Sequence, residues 1–144
     1  MPNLNKFVKI YTDGACRPNP GQGAIGILIL NEKNQELATG KKCIGKTTNN
    51  GAEYHALLQG LELALGHCTW KAICYSDSSL IINQLNHDWR IKNRELLELN
   101  KNVRATEIQF KEKVEYRFTS RDNPYIKRAD KLAKEALKEE IDLE

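Results

Sequence analysis

The sequence lacks any hydrophobic run long enough to cross a bilayer. Its longest apolar run, from Ala24 to Leu30, is interrupted by Gly26 and falls far short of the ~20 residues that a transmembrane helix requires. The first residues also lack the basic start and the apolar stretch that mark a secretory signal. We therefore expect no membrane partner and a cytoplasmic location.

Cysteine is scarce, and its spacing does not suggest a metal site. Cys16, Cys43, Cys68 and Cys74 form no C-x-x-C pair and have no paired histidines beside them, which argues against zinc. Because no secretory signal is evident, disulfides are not expected, and the thiols are predicted to be reduced. Cys16 is expected to be exposed in a loop, and the other three to be small apolar residues within or beside regular structure.

No charge of one sign dominates the whole chain, whose formal net charge is +3. Residues 1–138, however, contain 22 basic and 15 acidic residues, because four of the last six residues are acidic. A basic body suits an anionic partner such as a nucleic acid. The length of 144 residues is that of one domain, so we predict a single domain over 1–144 with a short acidic end at 139–144.

The hydrophobic pattern predicts three strands, a helix, a strand, two helices, a strand and a last helix. The strands are predicted at 7–13, 23–30, 35–44, 72–77 and 114–120. The helices are predicted from N-cap candidates at 47–50 to about 66, and at 78–86, 93–110 and 126–140. This order predicts an α/β fold, in which a mixed sheet carries helices on its faces.

The segment Gly21–Gly26 spells G-x-G-x-x-G, the pattern of a dinucleotide-binding turn. That turn requires a strand before it, a helix opening within it and an acidic residue about twenty positions later. Here a proline-rich loop precedes the pattern and a strand-like run follows it. We therefore exclude a nucleotide cofactor at this position.

Four acidic residues occupy positions from which their carboxylates can converge. Asp13 and Asp77 each end a predicted strand, Glu53 leads the apolar face of the first helix, and Asp130 lies beside the apolar face of the last. A turn or cap role is open for each of them. Converging carboxylates repel one another unless cations are bound, and oxygen-only ligands favour magnesium or manganese over zinc.

Four segments carry a stronger signal together than any does alone. They are Tyr11–Gly21 with Gly26, Thr48–Glu53, Tyr75–Ser78 and Ala129–Ala133. In order and spacing, over about residues 6–138, they resemble the signature blocks of the type 1 ribonuclease H family. The resemblance implies a ribonuclease H-like fold, a five-stranded mixed sheet flanked by helices, with strands one to three antiparallel and strands one, four and five parallel.

The resemblance also implies an activity and a set of metal ligands. The activity is endonucleolytic hydrolysis of the RNA strand of an RNA/DNA hybrid, leaving 5′-phosphate and 3′-hydroxyl ends. It implies two Mg²⁺ ions, for which Mn²⁺ can substitute, with Asp13 bridging both. Asp130 is then assigned to the ion that activates water, and Glu53 and Asp77 to the ion beside the leaving 3′-oxygen.

Substrate contacts are implied by the same resemblance. The residues assigned to nucleic-acid binding are Asn19, Thr48, Asn49, Asn50, Asn83, Trp89 and Arg121. The asparagines at 19, 49 and 50 are assigned to the minor groove, where the 2′-hydroxyl distinguishes RNA from DNA. Helix capping is their open alternative. Thr48 and Asn83 are assigned to a DNA-strand phosphate, and Trp89 to the DNA strand or to a half-buried anchor.

The chain departs from the family pattern in three places. The loop 120–125 has no histidine, where many members carry one, and Arg121 is the nearest cation. Ile126 stands where an asparagine is frequent, and the connection 86–93 is too short for a long basic handle. The alternatives are a catalytically idle hybrid- or RNA-binding module and a related metal nuclease of the same fold. Double-stranded RNA is a second candidate partner, and a monomer is expected.

Overall fold

The computed structural model describes residues 5–143, with side chains as far as residue 140. The strands are β1 (Val8–Arg17), β2 (Gly21–Asn31), β3 (Glu36–Thr47), β4 (Ala72–Ser76) and β5 (Glu115–Phe118). The helices are α1 (Asn49–Leu65), α2 (Ser79–His87), α3 (Arg94–Glu107) and α4 (Pro124–Leu143). Part of the predicted acidic end therefore lies outside the described residues. None of the described helices is long and apolar enough to cross a membrane.

The five strands form one mixed sheet in the order β3-β2-β1-β4-β5. The pairs β1–β2 and β2–β3 are antiparallel, whereas β1–β4 and β4–β5 are parallel. The predicted α/β fold class and its strand directions are confirmed. Parallel strands need crossover connections, and helices supply them here.

The first strand is longer than its predicted span, 7–13. It continues to Arg17 because Asp13–Arg17 pairs with Gln22–Gly26 of β2. Its parallel pairing with β4, by contrast, stops at Tyr11 and Tyr75. The expectation that the strand ends at Asp13 is therefore wrong, although Asp13 does lie just beyond the parallel part of the sheet, where sites form in this fold class.

Helices cover both faces of the sheet. The larger core packs the even-numbered residues of β1, such as Ile10, against α1, α2 and α3. On the other face, Tyr11 and Leu28 pack against Ile126 of α4. The predicted inward stripe of α1 is confirmed, since its members are all buried: Leu57, Gly60, Leu61 and Ala64.

Two glycines allow helices to approach the middle of the sheet closely. A Cβ atom at Gly26 of β2 would overlap the backbone carbonyl of Ala129 in α4. A Cβ atom at Gly14 of β1 would overlap the backbone of Ala52 and lie 2.6 Å from the backbone nitrogen of Glu53 in α1. These contacts bring the backbones that carry acidic side chains to the same region of β1.

Candidate active site

The four predicted carboxylates line one cleft, where β1, the end of β4, α1 and α4 meet. Ligand oxygens from Asp13, Glu53 and Asp77 lie within 4.8 Å of one another. Asp130 approaches from α4 and shares a hydrogen bond with Asp13. Residues 117 positions apart in the sequence are thus brought together by the sheet and its close-packed helices.

The position of Glu53 is set by the close approach of α1 to β1. Its carboxylate accepts a hydrogen bond from the backbone N–H of Gly14 and shares another with Asp13. The alternative of a capping interaction between Glu53 and Thr48 or Asn49 is wrong, because the Glu53 carboxylate bonds to Gly14 of β1 instead. Thr48 caps α1 on its own by accepting from the Gly51 N–H at 3.1 Å. Glu53 therefore belongs to the acidic cleft.

The cap alternatives for the other helices are also wrong. Ser78 caps α2, since its hydroxyl accepts from the Ile81 N–H at 3.4 Å, and Asp77 stays in the cleft. Asn123 begins α4 by accepting from the Tyr125 N–H at 2.8 Å. Asp130 pairs instead with the ammonium of Lys134, at 2.8 Å.

Crowding of the carboxylates disfavours their charged forms. Burial, together with the nearby charge of Asp77, raises the pKa of Asp13 to about 7, although its hydrogen bond with Glu53 acts in the opposite direction. Burial and the charge of Asp13 raise the pKa of Glu53 well above its usual range. Among the described residues, the basic side chain paired with this cluster is Lys134, and it contacts Asp130 alone. The cleft therefore favours binding of a cation.

The chemistry of the donors fits a divalent metal. Three carboxylate oxygens that can surround one point, without sulfur or imidazole, are the ligands that hard cations such as Mg²⁺ and Mn²⁺ prefer. A bound cation would also offset the carboxylate repulsion that adds to the effect of burial on the pKa values of Asp13 and Glu53. The geometry and the electrostatics of the acidic cluster are therefore those of a group that could hold a divalent metal ion.

Three of the predicted nucleic-acid contacts line the same cleft. Asn49 and Asn50, at the start of α1, and Arg121, in the loop before α4, are all exposed there. Asn19 lies beside them, and its side-chain oxygen accepts from the Asn49 N–H at 3.1 Å. Asn19 therefore has a structural bond of the capping kind, while the Asn49 and Asn50 side chains face the cleft.

The remaining predicted contacts lie outside the cleft wall. Thr48 is engaged as the cap of α1. Asn83 is half-buried on α2, and Trp89 lies in the connection between α2 and α3 with 51% of its surface exposed. The structure thus places the predicted nucleic-acid residues in two groups, one in the cleft and one beyond it.

Cys16 differs from its expectation. It is buried, and its thiol lies close to three carbonyl oxygens, those of Pro18 at 3.1 Å, Gly21 at 3.2 Å and Thr47 at 3.0 Å. The prediction of an exposed thiol is wrong because the chain after Asp13 continues as a strand and turns back on itself. All four cysteines are free, as predicted.

The sequence reasoning missed two basic residues of the cleft. Lys127 and Lys134 line it, and both share a face of α4 with Asp130, at spacings of three and four residues. That helical spacing was a usable signal.

Ile126, at the frequent asparagine position, packs into the core against Tyr11 and is 1% exposed.

Comparison with known proteins agrees with this architecture. A family model described as Reverse transcriptase-like matches residues 11–136. A Ribonuclease H of Clostridium botulinum (strain Hall) is 35% identical over 154 aligned positions, which cover 93% of this chain and 97% of the relative. The crystal structure of LC11-RNase H1 in complex with RNA/DNA hybrid matches with a TM-score of 0.86 and 31% identity, over 93% of this chain and 99% of that one.

Other relatives are longer proteins. The Bifunctional protein Rv2228c of Mycobacterium tuberculosis is 35% identical over 132 residues, which are 90% of this chain but 35% of that relative. The chain thus spans about a third of the length of the mycobacterial relatives that it matches.

The sheet order, the acidic cleft at the ends of its parallel strands and the matched family model define a reverse transcriptase-like α/β protein of the ribonuclease H type. Within that class, the chain belongs to the ribonuclease H family.

Proposed function

We propose that the chain is an endoribonuclease that hydrolyses the RNA strand of RNA/DNA hybrids, with Mg²⁺ as its metal and Mn²⁺ as a substitute. The observation that carries the proposal is the convergence of Asp13, Glu53, Asp77 and Asp130 in one cleft. A relative of the same fold binds an RNA/DNA hybrid, which supports the substrate class. An intact set of four carboxylates favours an enzyme over a catalytically idle binding module.

The four carboxylates would hold the metal, with Asp13 at the centre of the group. Divalent ions held there would supply positive charge for a phosphate group and would promote the ionisation of water. The chain's own contribution is positioning: the Gly14 N–H orients Glu53, and Lys134 holds Asp130. Lys127 and Arg121 add positive charge to a cleft that must admit a phosphate.

Recognition of the RNA strand is assigned to the first turn of α1. Asn49 and Asn50 expose amide groups that can donate to and accept from a 2′-hydroxyl, the group that DNA lacks. These residues stand three and four positions before Glu53, so sugar recognition and chemistry share one helical turn. The DNA strand is assigned to Thr48, Asn83 and Trp89.

An assay on four end-labelled substrates tests the proposal. Hybrid, duplex RNA, duplex DNA and single-stranded RNA are incubated with the protein in Mg²⁺, in Mn²⁺ and in EDTA. We expect internal cuts in the RNA strand of the hybrid in either metal and none in EDTA. The products should carry 5′-phosphate and 3′-hydroxyl ends.

The Asp13→Asn protein is the matched control, because it removes one carboxylate charge while keeping the side chain's shape. Hybrid binding without cleavage by the wild-type protein in Mg²⁺ would support the idle binding module instead. Equal cutting of hybrid and duplex RNA would make double-stranded RNA a second substrate. Cleavage by the Asp13→Asn protein at the wild-type rate would contradict the assignment of the site.

A further inference from the structure

The connection between α2 and α3 carries a basic and aromatic surface. Trp89, Arg90 and Lys92 are all exposed there, while Ile91 is partly buried against the core. We refer to residues 88–93 as the Trp89 connection. Exposed aromatic and basic side chains in one short segment suit a nucleic-acid strand. Its position relative to the cleft therefore matters for substrate choice.

The first turn of α3, which directly follows the Trp89 connection, contacts the start of α1 through a side-chain hydrogen bond. The Thr47 hydroxyl donates to Oε1 of Glu95, at the beginning of α3, over 2.8 Å. Thr47 is buried and directly precedes the α1 cap. The contact requires a glycine at residue 51, because a Cβ atom there would overlap the Thr47 hydroxyl and lie 2.8 Å from Glu95 Oε1.

The start of the Trp89 connection is held by Arg104 of α3. Its guanidinium donates to the backbone carbonyl of Leu85 at 2.8 Å and to the carboxylate of Asp88 at 2.9 Å. Both acceptors lie where α2 ends. The Trp89 connection is thus held at its start by Arg104, and the turn of α3 that follows it is held to the start of α1, which carries Asn49 and Asn50.

We infer that Glu95 is a positioning residue that sets the spacing between the Trp89 connection and the first turn of α1. This inference rests on the proposed function, in which these two surfaces contact the two strands of a hybrid. Duplexes differ in minor-groove width, from about 6 Å in B-DNA to the wide, shallow groove of A-form RNA. A fixed spacing between the two surfaces therefore selects duplexes by groove width.

Substitutions at both partners test the inference. Glu95→Ala and Thr47→Val each remove the contact, and Glu95→Gln keeps an accepting oxygen. We expect the first two to raise KM for hybrid about fivefold with kcat within twofold of wild type, and Glu95→Gln to restore KM. Selectivity for hybrid over duplex RNA should fall by a similar factor. Glu98→Ala, on the exposed face of the same helix, is the control and should leave both constants unchanged.

A double variant separates positioning from a merely structural contact. If Glu95 acts through the Trp89 connection, Glu95→Ala should add nothing to the KM of Trp89→Ala. A lowered melting temperature in Glu95→Ala with unchanged KM and selectivity would overturn the inference, as would full additivity with Trp89→Ala. The proposed function fails separately, if the wild-type protein itself neither binds nor cuts hybrid.

Discussion

Glu53 and Tyr54 are neighbours on α1, and both place polar atoms inside the protein, but they do so in opposite ways. Glu53 points into a group of carboxylates whose charges repel one another, and burial together with this repulsion raises the pKa values of Glu53 and Asp13. Tyr54 is completely buried, and its hydroxyl donates to Gln84 Oε1 at 2.6 Å while accepting from Asn100 Nδ2 at 3.3 Å. Glu53 thus lies among like charges that repel one another, whereas the Tyr54 hydroxyl has a hydrogen-bond partner for both its donor and its acceptor.

The difference between the two residues separates a site that would gain from a bound ligand from one that would not. In the neutral network of Tyr54, Gln84 and Asn100, the buried hydroxyl has both a donor and an acceptor, so the network links α1, α2 and α3 without a ligand. The acidic cleft stores unfavourable charge that a bound cation would relieve. Removing a polar group should therefore destabilise the protein in the Tyr54 network and stabilise it in the acidic cleft.

The largest expected effect is that of Asp13→Asn. We expect hybrid cleavage in Mg²⁺ to fall at least about a thousandfold, because the central carboxylate is lost. In EDTA, the melting temperature of the same variant should rise, because one charge leaves a buried, repulsive group. Glu62→Gln, an exposed change on α1, should alter neither measurement. A variant that unfolds more easily in EDTA would contradict the charge repulsion described above.

The second effect concerns the approach of α4 to the sheet. Gly26→Ala should lower the free energy of unfolding by about 2 kcal/mol or more, because the added methyl group overlaps the Ala129 carbonyl. It should also lower kcat, because Asp130 must move with α4. Gly40→Ala is the matched control on β3, where the nearest atoms would be 3.6 Å away. If Gly26→Ala and Gly40→Ala gave the same free energy of unfolding and the same kcat, α4 could shift away from the sheet without displacing Asp130.

The parts of the structure that sequence reasoning predicted are those with local signals. Helix α1, a cap within the four candidates at 47–50 and the buried stripe follow from residues that are close along the chain, and Thr48 is the candidate that the structure selects. The four acidic residues were selected by strand ends and helix faces, and the fold brings them together.

What the sequence did not predict depends on contacts between distant segments. The extension of β1 to Arg17 arises from pairing with β2, and the burial of Cys16 follows from it. The contact of Thr47 with Glu95 requires knowing that α3 lies beside the start of α1. No local pattern carries that information.

A third prediction tests the neutral hydrogen-bond network around Tyr54. Tyr54→Phe keeps the ring but leaves the buried oxygen of Gln84 without its donor, so it should lower the free energy of unfolding by about 1–3 kcal/mol. The kcat for hybrid should stay within twofold, because the hydroxyl faces away from the cleft. Denaturant unfolding and hybrid cleavage measure the two quantities. A Tyr54→Phe protein that is more stable than wild type would contradict the stabilising role of the Tyr54 hydroxyl and hence its difference from Glu53.

The pH dependence of stability should reveal the raised pKa of Asp13 in the acidic cleft. The pKa of Asp13 is raised from 3.8 to about 7 in the folded protein, so the folded state holds its proton more tightly than the unfolded state does. The resulting stabilisation is complete below pH 3.8 and is lost as the pH rises through about 7. Urea unfolding in EDTA should therefore show this contribution declining between about pH 4 and 7 and staying level at higher pH, and Asp13→Asn should flatten the decline. A profile that is the same in both proteins would contradict the raised pKa.

The smallest expected effect is that of Cys16→Ala, three residues after Asp13 on the same strand. Its thiol packs among the carbonyls of Pro18, Gly21 and Thr47, and neither cleft chemistry nor the neutral network uses it. Because an S–H group is a weak donor, alanine should cost only about 1 kcal/mol of stability. Magnesium-dependent cleavage should stay within a few-fold of wild type, and it should need no reducing agent. Lost cleavage in a Cys16→Ala protein with a normal melting temperature would mean that the end of β1 contributes to catalysis through the Cys16 sulfur.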